Sequence, residues 1–253
     1  MRRAFVAMAL SVAVVPLGMV VAQSAGLPQN IVAAVADPSR PATDTSTDAN
    51  RKPGETIAFA GVKPGMVVGE FYPGGGYFTR MLSDVVGPKG HVYAIENSRW
   101  HSSFVADQAL LADGKMANVS VEAAAFGTVR FAQPLDIAWV TQNYHDLKIA
   151  QYGVVDTAAF NRGVFNALKP GGVFMVLDHE APAGTGTDVA AITKLHRIEK
   201  VQVIREVTAA GFKLQAEGTF LHRATDDHSL PIFDKQVQGQ TDQYALRFVK
   251  PRR

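Results

Sequence analysis

The sequence predicts an α/β protein built on a largely parallel sheet with helices on both faces. Three observations carry this expectation. Strand-sized runs such as 66–71 and 173–177 are apolar almost without interruption, as strands buried on both faces are. Between such runs, apolar residues recur at helical spacing, as Phe78, Met81, Leu82 and Val85 do. Near the C-terminus the alternation stops. Two strand-like runs, 212–219 and 244–249, are joined only by the irregular stretch 222–240, so this pair is expected to be antiparallel.

Composition sets the outer bounds. At 253 residues, 47% hydrophobic and 19% charged, the chain is large enough to bury a core and too apolar for a disordered class. It has no cysteine, which excludes disulfides, thiolate metal sites and a cysteine nucleophile. No repeat of a solenoid or propeller is visible.

At the N-terminus, Arg2 and Arg3 precede an apolar run over 4–22 interrupted by Ser11, Pro16 and Gly18, and small residues follow at Ala22, Ser24 and Ala25. This is the pattern of a cleavable secretory signal over 1–24, cut after Ala22 or Ser24. It predicts a periplasmic or secreted protein with no stable membrane insertion after cleavage. Without Arg2 and Arg3, basic and acidic residues balance at 23 each, so charge gives no argument for a nucleic-acid partner.

Residues 25–55 are expected to form a helical or linker segment packing on a main domain over 56–253. Within it Asp44, Asp48 and Arg51 share one face if the stretch is helical. Pro41 suits a first helical turn and Pro53 would end such a helix. A charged stripe of this kind matters only if the segment folds back over a site.

The main domain then runs in order. Lys63-Pro64-Gly65 turns into a strand at 66–71, Tyr72 to Gly76 is a glycine-rich loop, and a helix follows until Gly87-Pro88-Lys89-Gly90 breaks it. A second strand over 91–95 ends at Glu96. A helix is predicted over 99–112, strands at 119–124 and 135–141, and a helix over 157–168. Lys169-Pro170-Gly171-Gly172 turns into the strand 173–177, which runs into Asp178. A single helix over 193–210 stops at Gly211.

On an open α/β sheet, ligands bind beyond the carboxyl ends of the strands. Here the first strand delivers Glu70, then Gly74-Gly75-Gly76, then a helix whose N-terminal amides face whatever binds. Glu96, at the end of the next strand, stands where a carboxylate accepts hydrogen bonds from ribose hydroxyls. A dinucleotide fingerprint would need a glycine at position 79, which is Thr79. The corner therefore fits a nucleoside ligand without separating a nicotinamide dinucleotide from an adenosyl compound.

These residues resemble a known family. The stretch 67–79, the Gly87-Pro88-Lys89-Gly90 turn into 91–96, Asn143-Tyr144-His145-Asp146, and Lys169-Pro170-Gly171-Gly172 before Asp178-His179 look like the class I S-adenosylmethionine-dependent methyltransferases. More narrowly they resemble a group of predicted bacterial methyltransferases with export signals. That likeness extends to Arg40, Asp44, Asp48, Arg51 and Pro53 upstream, and to His196-Arg197, the Ala209-Ala210-Gly211-Phe212 run and Thr241-Asp242 downstream.

The resemblance implies a Rossmann-like class I methyltransferase fold, a seven-stranded mixed sheet of order 3-2-1-4-5-7-6 with helices on both faces. It implies S-adenosylmethionine as cofactor and a small-molecule methyl acceptor as partner. Glu70 takes the place of the acid that positions the methionine part. Pro73, Gly74, Gly75, Gly76 and Tyr77 form the cofactor loop, with Tyr72 where most of these enzymes have their first glycine. Glu96 is the ribose acid with Asn97 beside it, and Asn143 and Tyr144 lie on the cofactor side of the fourth strand. Phe126 either stacks on the base or is a core aromatic.

Methyl transfer is an in-line displacement from a sulfonium, so the enzyme mainly aligns the reacting atoms; a base helps only if the acceptor must lose a proton. His145, with Asp146 to orient it or act separately, and His179 are the candidate catalytic groups. His196 and Arg197, predicted on a helix, read as structural, and Asp226-Asp227-His228 as a surface loop. No histidine spacing makes a persuasive metal site. Because S-adenosylmethionine is made in the cytosol, a non-catalytic periplasmic binding protein on the same fold is the alternative of a different class. An NAD-dependent oxidoreductase is the third reading.

Overall fold

The computed structural model describes residues 26–99, 114, 116–128 and 130–252. The predicted signal segment lies outside the described residues, as does the helix predicted over 99–112 beyond Arg99. Four short helices open the described chain: α1 (Gln29–Val35), α2 (Ala42–Thr45), α3 (Asp48–Arg51) and α4 (Pro53–Ala60). The strands are β1 (Val67–Phe71), β2 (His91–Asn97), β3 (Val119–Ala124), β4 (Leu135–Thr141), β5 (Leu168–His179), β6 (Lys213–Gly218) and β7 (Gln243–Val249). Helix α5 (Tyr77–Val86) follows β1, α6 (Thr157–Ala167) precedes β5, and α7 (Val189–Leu195) and α8 (Lys200–Ala209) precede β6.

The strands form one sheet in the order β3-β2-β1-β4-β5-β7-β6. Pairings among β1 to β5 are parallel, and β7 runs antiparallel to both β5 and β6. The uninterrupted apolar runs have a direct cause in the packing. Along β4, Leu135, Ala138 and Val140 join one core while Ile137 and Trp139 join the other; on β5, Phe174 and Val176 alternate with Met175 and Leu177 in the same way. Helices α6 and α8 cover the first face through Phe160, Val164, Val203 and Val207, and α1, α4 and α5 cover the second through Ile31, Ile57, Phe78 and Met81. With helices on both sides, neither strand face is left to water.

Three sequence expectations are corrected. The turn predicted at Lys169-Pro170-Gly171-Gly172 is drawn into β5, because Gly171 N donates to Lys250 O and Lys250 N to Gly172 O, each at 2.9 Å. The tail of the chain thus supplies partners for a segment that would turn on its own. The helix predicted over 193–210 is two helices, interrupted where His196 takes a left-handed φ of 53°. Finally, the charged N-terminal stripe is not one helix. Pro41 caps α2, and Pro53 starts α4 rather than ending a helix. Among the described residues no helix is long and apolar enough to cross a membrane.

One close approach fixes the turn from α5 into β2. Gly90 lies at the start of β2 where a Cβ would fall 2.5 Å from Val86 Cβ and 2.6 Å from Met66 O. The backbone oxygen has little room to retreat. Gly90→Ala is therefore expected to cost about 1–3 kcal/mol in urea denaturation, as overpacking does; an unchanged midpoint would show that β2 shifts freely against α5.

Candidate functional site

The site lies along the carboxyl ends of β1, β2, β4 and β5. At the first corner Tyr72 takes a left-handed φ of 57°, and Gly74, Gly75 and Gly76 follow at 50°, 74° and 82°. Such a run of positive φ is what glycine permits without steric cost. A Cβ built on Gly74 or Gly75 would meet no atom within 4 Å, so the loop faces open space. Helix α5 begins directly after it, so the helix N-terminus lies at the loop.

Glu70 is buried and accepts a hydrogen bond from Thr79 Oγ1 at 2.6 Å. This explains the departure at position 79, where the hydroxyl secures the carboxylate from within α5. Because Phe71 pairs with Ile95, Glu96 sits one residue beyond that pair, fully buried at the end of β2. Two acidic side chains therefore flank the glycine loop on neighbouring strands.

The N-terminal segment folds back over this corner. Asp48 receives Arg40 on both carboxylate oxygens, at 2.7 and 2.8 Å, and also accepts from the Tyr77 hydroxyl at 2.6 Å. Arg51 lies 3.8 Å from the centre of the Tyr77 ring, a cation–π contact. Arg80 joins Asp44 at 2.9 Å and donates to Gly75 O and Gly76 O. The charged stripe thus clamps the loop. Burial and then the Asp48 carboxylate push the Tyr77 phenol well above its ordinary range. Burial pulls the Arg51 guanidinium down. Asp48→Ala removes two hydrogen bonds from Arg40 and one from Tyr77, each to a charged group and worth about 1.5–3 kcal/mol. Amides over 74–79 should then exchange with deuterium roughly ten- to a hundredfold faster; unchanged exchange there would mean the clamp does not hold the loop.

The second corner lies between β4 and β5. Gln142 turns the chain at a left-handed φ of 62°. His145 follows, buried, with its Nδ1 2.8 Å from Asp178 Oδ1 and its backbone N donating to Asp178 Oδ2 at 2.8 Å. Its Nε2 lies 3.2 Å from Asp146 Oδ1, and Asn143 Nδ2 donates to Asp146 Oδ2 at 2.7 Å. Nδ1 of His196 is 3.7 Å from the same Asp146 Oδ1. His196 reaches that point because the break between α7 and α8 turns its ring inward.

The electrostatics correct the expected role of His145. Burial acts to lower its pKa, but Asp178 and Asp146 together outweigh burial and raise it to about 10. Unless a cation takes the place of the proton, the two carboxylates keep the ring protonated and unsuited as a base. For Asp146, burial acts to raise the pKa, yet the His145 charge, the two nearby imidazoles and the Asn143 hydrogen bond drive it well below the usual carboxylate range. His179 is buried with Nδ1 at 2.7 Å from Thr241 Oγ1, and burial lowers it to about 3. It is a neutral residue tied to Thr241, 6.0 Å from the His145 ring centre.

Several expected cofactor residues are placed elsewhere. Phe126 is a core aromatic, packed edge-on against Phe71 and Tyr72 at 5.2 and 4.6 Å, so its ring is not free to stack on a base. Tyr144 is fully buried; its hydroxyl donates to Glu206 at 3.0 Å and accepts from Asn161 at 2.8 Å. Asn97 donates to Tyr152 O and Gly153 O at 2.9 and 3.1 Å, fixing the turn after β4 rather than reaching outward. The Tyr77 side chain faces the N-terminal clamp rather than a ligand. Pro73 is buried beneath the loop. Asp226 is no surface residue: it is buried and paired with Arg197 at 2.8 Å. Thr79, Arg40 and His196 contribute to the site although the sequence did not assign them to it: Thr79 stood out as the break in a glycine pattern, and Arg40 and His196 only within the family likeness.

The chain matches no family model and no curated protein. Solved structures do resemble it. A SAM-dependent methyltransferase from Aquifex aeolicus superposes with a TM-score of 0.58 at 16% identity, over 82% of this chain and 95% of that one. The fold is the Rossmann-like class I methyltransferase fold. The glycopeptide N-methyltransferase MtfA, complexed with S-adenosyl-L-methionine, aligns at a TM-score of 0.54 and 17% identity, over 79% of this chain and 87% of its own. The [4+2]-cyclase SpnF aligns at 0.58 and 13%, over 81% and 82%. A methyltransferase fold thus also appears in a protein named for a cyclisation, and the reaction has to be argued from the site.

Proposed function

We propose that this chain is an S-adenosylmethionine-dependent methyltransferase acting on a small-molecule acceptor, exported and freed of residues 1–24 like the signal-bearing group its sequence resembles. The observation that carries the reading is the first corner. The open space over Gly74 and Gly75, the α5 N-terminus beneath it and the flanking carboxylates of Glu70 and Glu96 fit an adenosyl amino acid. In this reading Glu96 takes the ribose hydroxyls and Glu70 the ammonium end. The cofactor supplies a methyl group activated on a sulfonium. Asn143, His145 and Asp146 form the acceptor end beyond β4 and orient the acceptor toward the glycine corner. Catalysis is then chiefly alignment, which suits residues held as firmly as these.

The test is calorimetric titration of the mature protein with S-adenosylmethionine and S-adenosylhomocysteine. Micromolar binding of both is expected. Absence of heat at several temperatures, with folded and ligand-free protein, would refute the cofactor assignment.

A further inference from the structure

We propose that His145, Asp146 and His196 form a binding site for a divalent transition-metal ion. One donor atom from each lies within 4.8 Å of the other two. Asp146 Oδ1 is the common point, 3.2 Å from His145 Nε2 and 3.7 Å from His196 Nδ1. Metal–ligand bonds of about 2.0–2.1 Å in a tetrahedral site separate neighbouring donors by roughly 3.3 Å, which both pairs with Asp146 approach.

A second observation points to the same position. Asp146 Oδ1 is buried and accepts no hydrogen bond of proper geometry, although two imidazoles face it. The surrounding groups hold the three donors in place. Asp178 Oδ1, 2.8 Å from His145 Nδ1, orients that ring with Nε2 toward the centre, and Asn143 holds the far oxygen of Asp146. A carboxylate behind a ligating histidine is the usual outer support of a metal site. His196 is kept in place by a left-handed backbone, a conformation that persists only where surrounding contacts impose it.

Two imidazoles and one carboxylate suit zinc or iron(II) and disfavour magnesium or calcium. Three protein ligands also leave coordination positions open, as in reactive rather than structural sites. The His196 side chain is 12% exposed and lies beside Tyr152 and the exposed Phe233, so the ion is reached from that side. Another histidine pair, His222 and His228, does not make such a site, since each takes a different oxygen of Asp242. The inference stands apart from the cofactor assignment.

The experiment uses the full mature protein stripped with chelator and titrated with Zn²⁺, followed by plasma mass spectrometry after gel filtration. Co²⁺ serves as an optical probe and Mg²⁺ as a control. One equivalent of Zn²⁺ and visible Co²⁺ bands are expected. Asp178→Asn should weaken binding about 10–100-fold, and His196→Asn, whose new side chain tolerates the left-handed backbone, at least as much. Asp146→Asn gives an independent variant, and circular dichroism verifies that each is folded. Retention only at millimolar Zn²⁺, or equal affinity in folded His196→Asn and Asp146→Asn proteins, would overturn the site.

Discussion

Glu96→Ala is expected to weaken S-adenosylmethionine and S-adenosylhomocysteine binding roughly 10²- to 10⁴-fold, because two charge-assisted hydrogen bonds of about 1.5–3 kcal/mol each are lost together. Glu96 is fully buried at the end of β2, so a ribose in its reach is recognised away from competing water. Glu96→Gln keeps one acceptor oxygen and should lose less, roughly tenfold. Calorimetry on both variants, beside their thermal midpoints, checks it. Affinity unchanged in Glu96→Ala would remove the ribose assignment and leave the glycine corner open to another ligand.

Arg197→Ala is expected to destabilise the fold by about 3–5 kcal/mol, the cost of leaving a buried charge without its partner. The guanidinium is fully buried, donating to both oxygens of Asp226 at 2.8 and 3.1 Å, to Leu230 O at 2.9 Å and to Glu180 O at 3.0 Å. It ties β5, the α7–α8 break and the loop before β7 into one unit. Arg197→Lys should rescue little, because an ammonium cannot reproduce the planar fork. The deficit should also depend on pH. Burial acts to raise the Asp226 pKa, but hydrogen bonds from Arg197 and from backbone amides hold it below its ordinary 3.8. A depressed carboxylate contributes stability above the unfolded pKa and loses it as pH falls through the folded one. The difference between wild type and variant should accordingly be full at pH 7 and shrink below about pH 4. Urea melts across that range test it; a deficit that grows on acidification would contradict the pairing.

Much of the frame was legible because it is encoded over short range. Apolar runs buried on both faces, the glycine corner after β1 and the change of pattern before β6 all depend on neighbours within a few residues. The reading failed where a partner came from far along the chain. The turn at Lys169-Pro170-Gly171-Gly172 became strand through Lys250, Tyr144, which looked available to a ligand, was claimed by Glu206 and Asn161, and of the two readings of Phe126 the core one holds, against Phe71 and Tyr72. Local pattern marks a residue as buried or exposed but does not say which surface takes it.

By itself the sequence determined the α/β alternation, the antiparallel end of the sheet and the position of Glu70, Gly74 to Gly76 and Glu96 at one corner. Only the tertiary structure decided that Arg40, Asp48 and Arg51 close over that corner, and that His196 leaves its helix to meet His145 and Asp146. The physical reason is range. Hydrophobic period and turn chemistry act along the chain, whereas strand order brings β4 beside β5 and buried ion pairs such as Arg197 with Asp226 then fix which distant side chains converge.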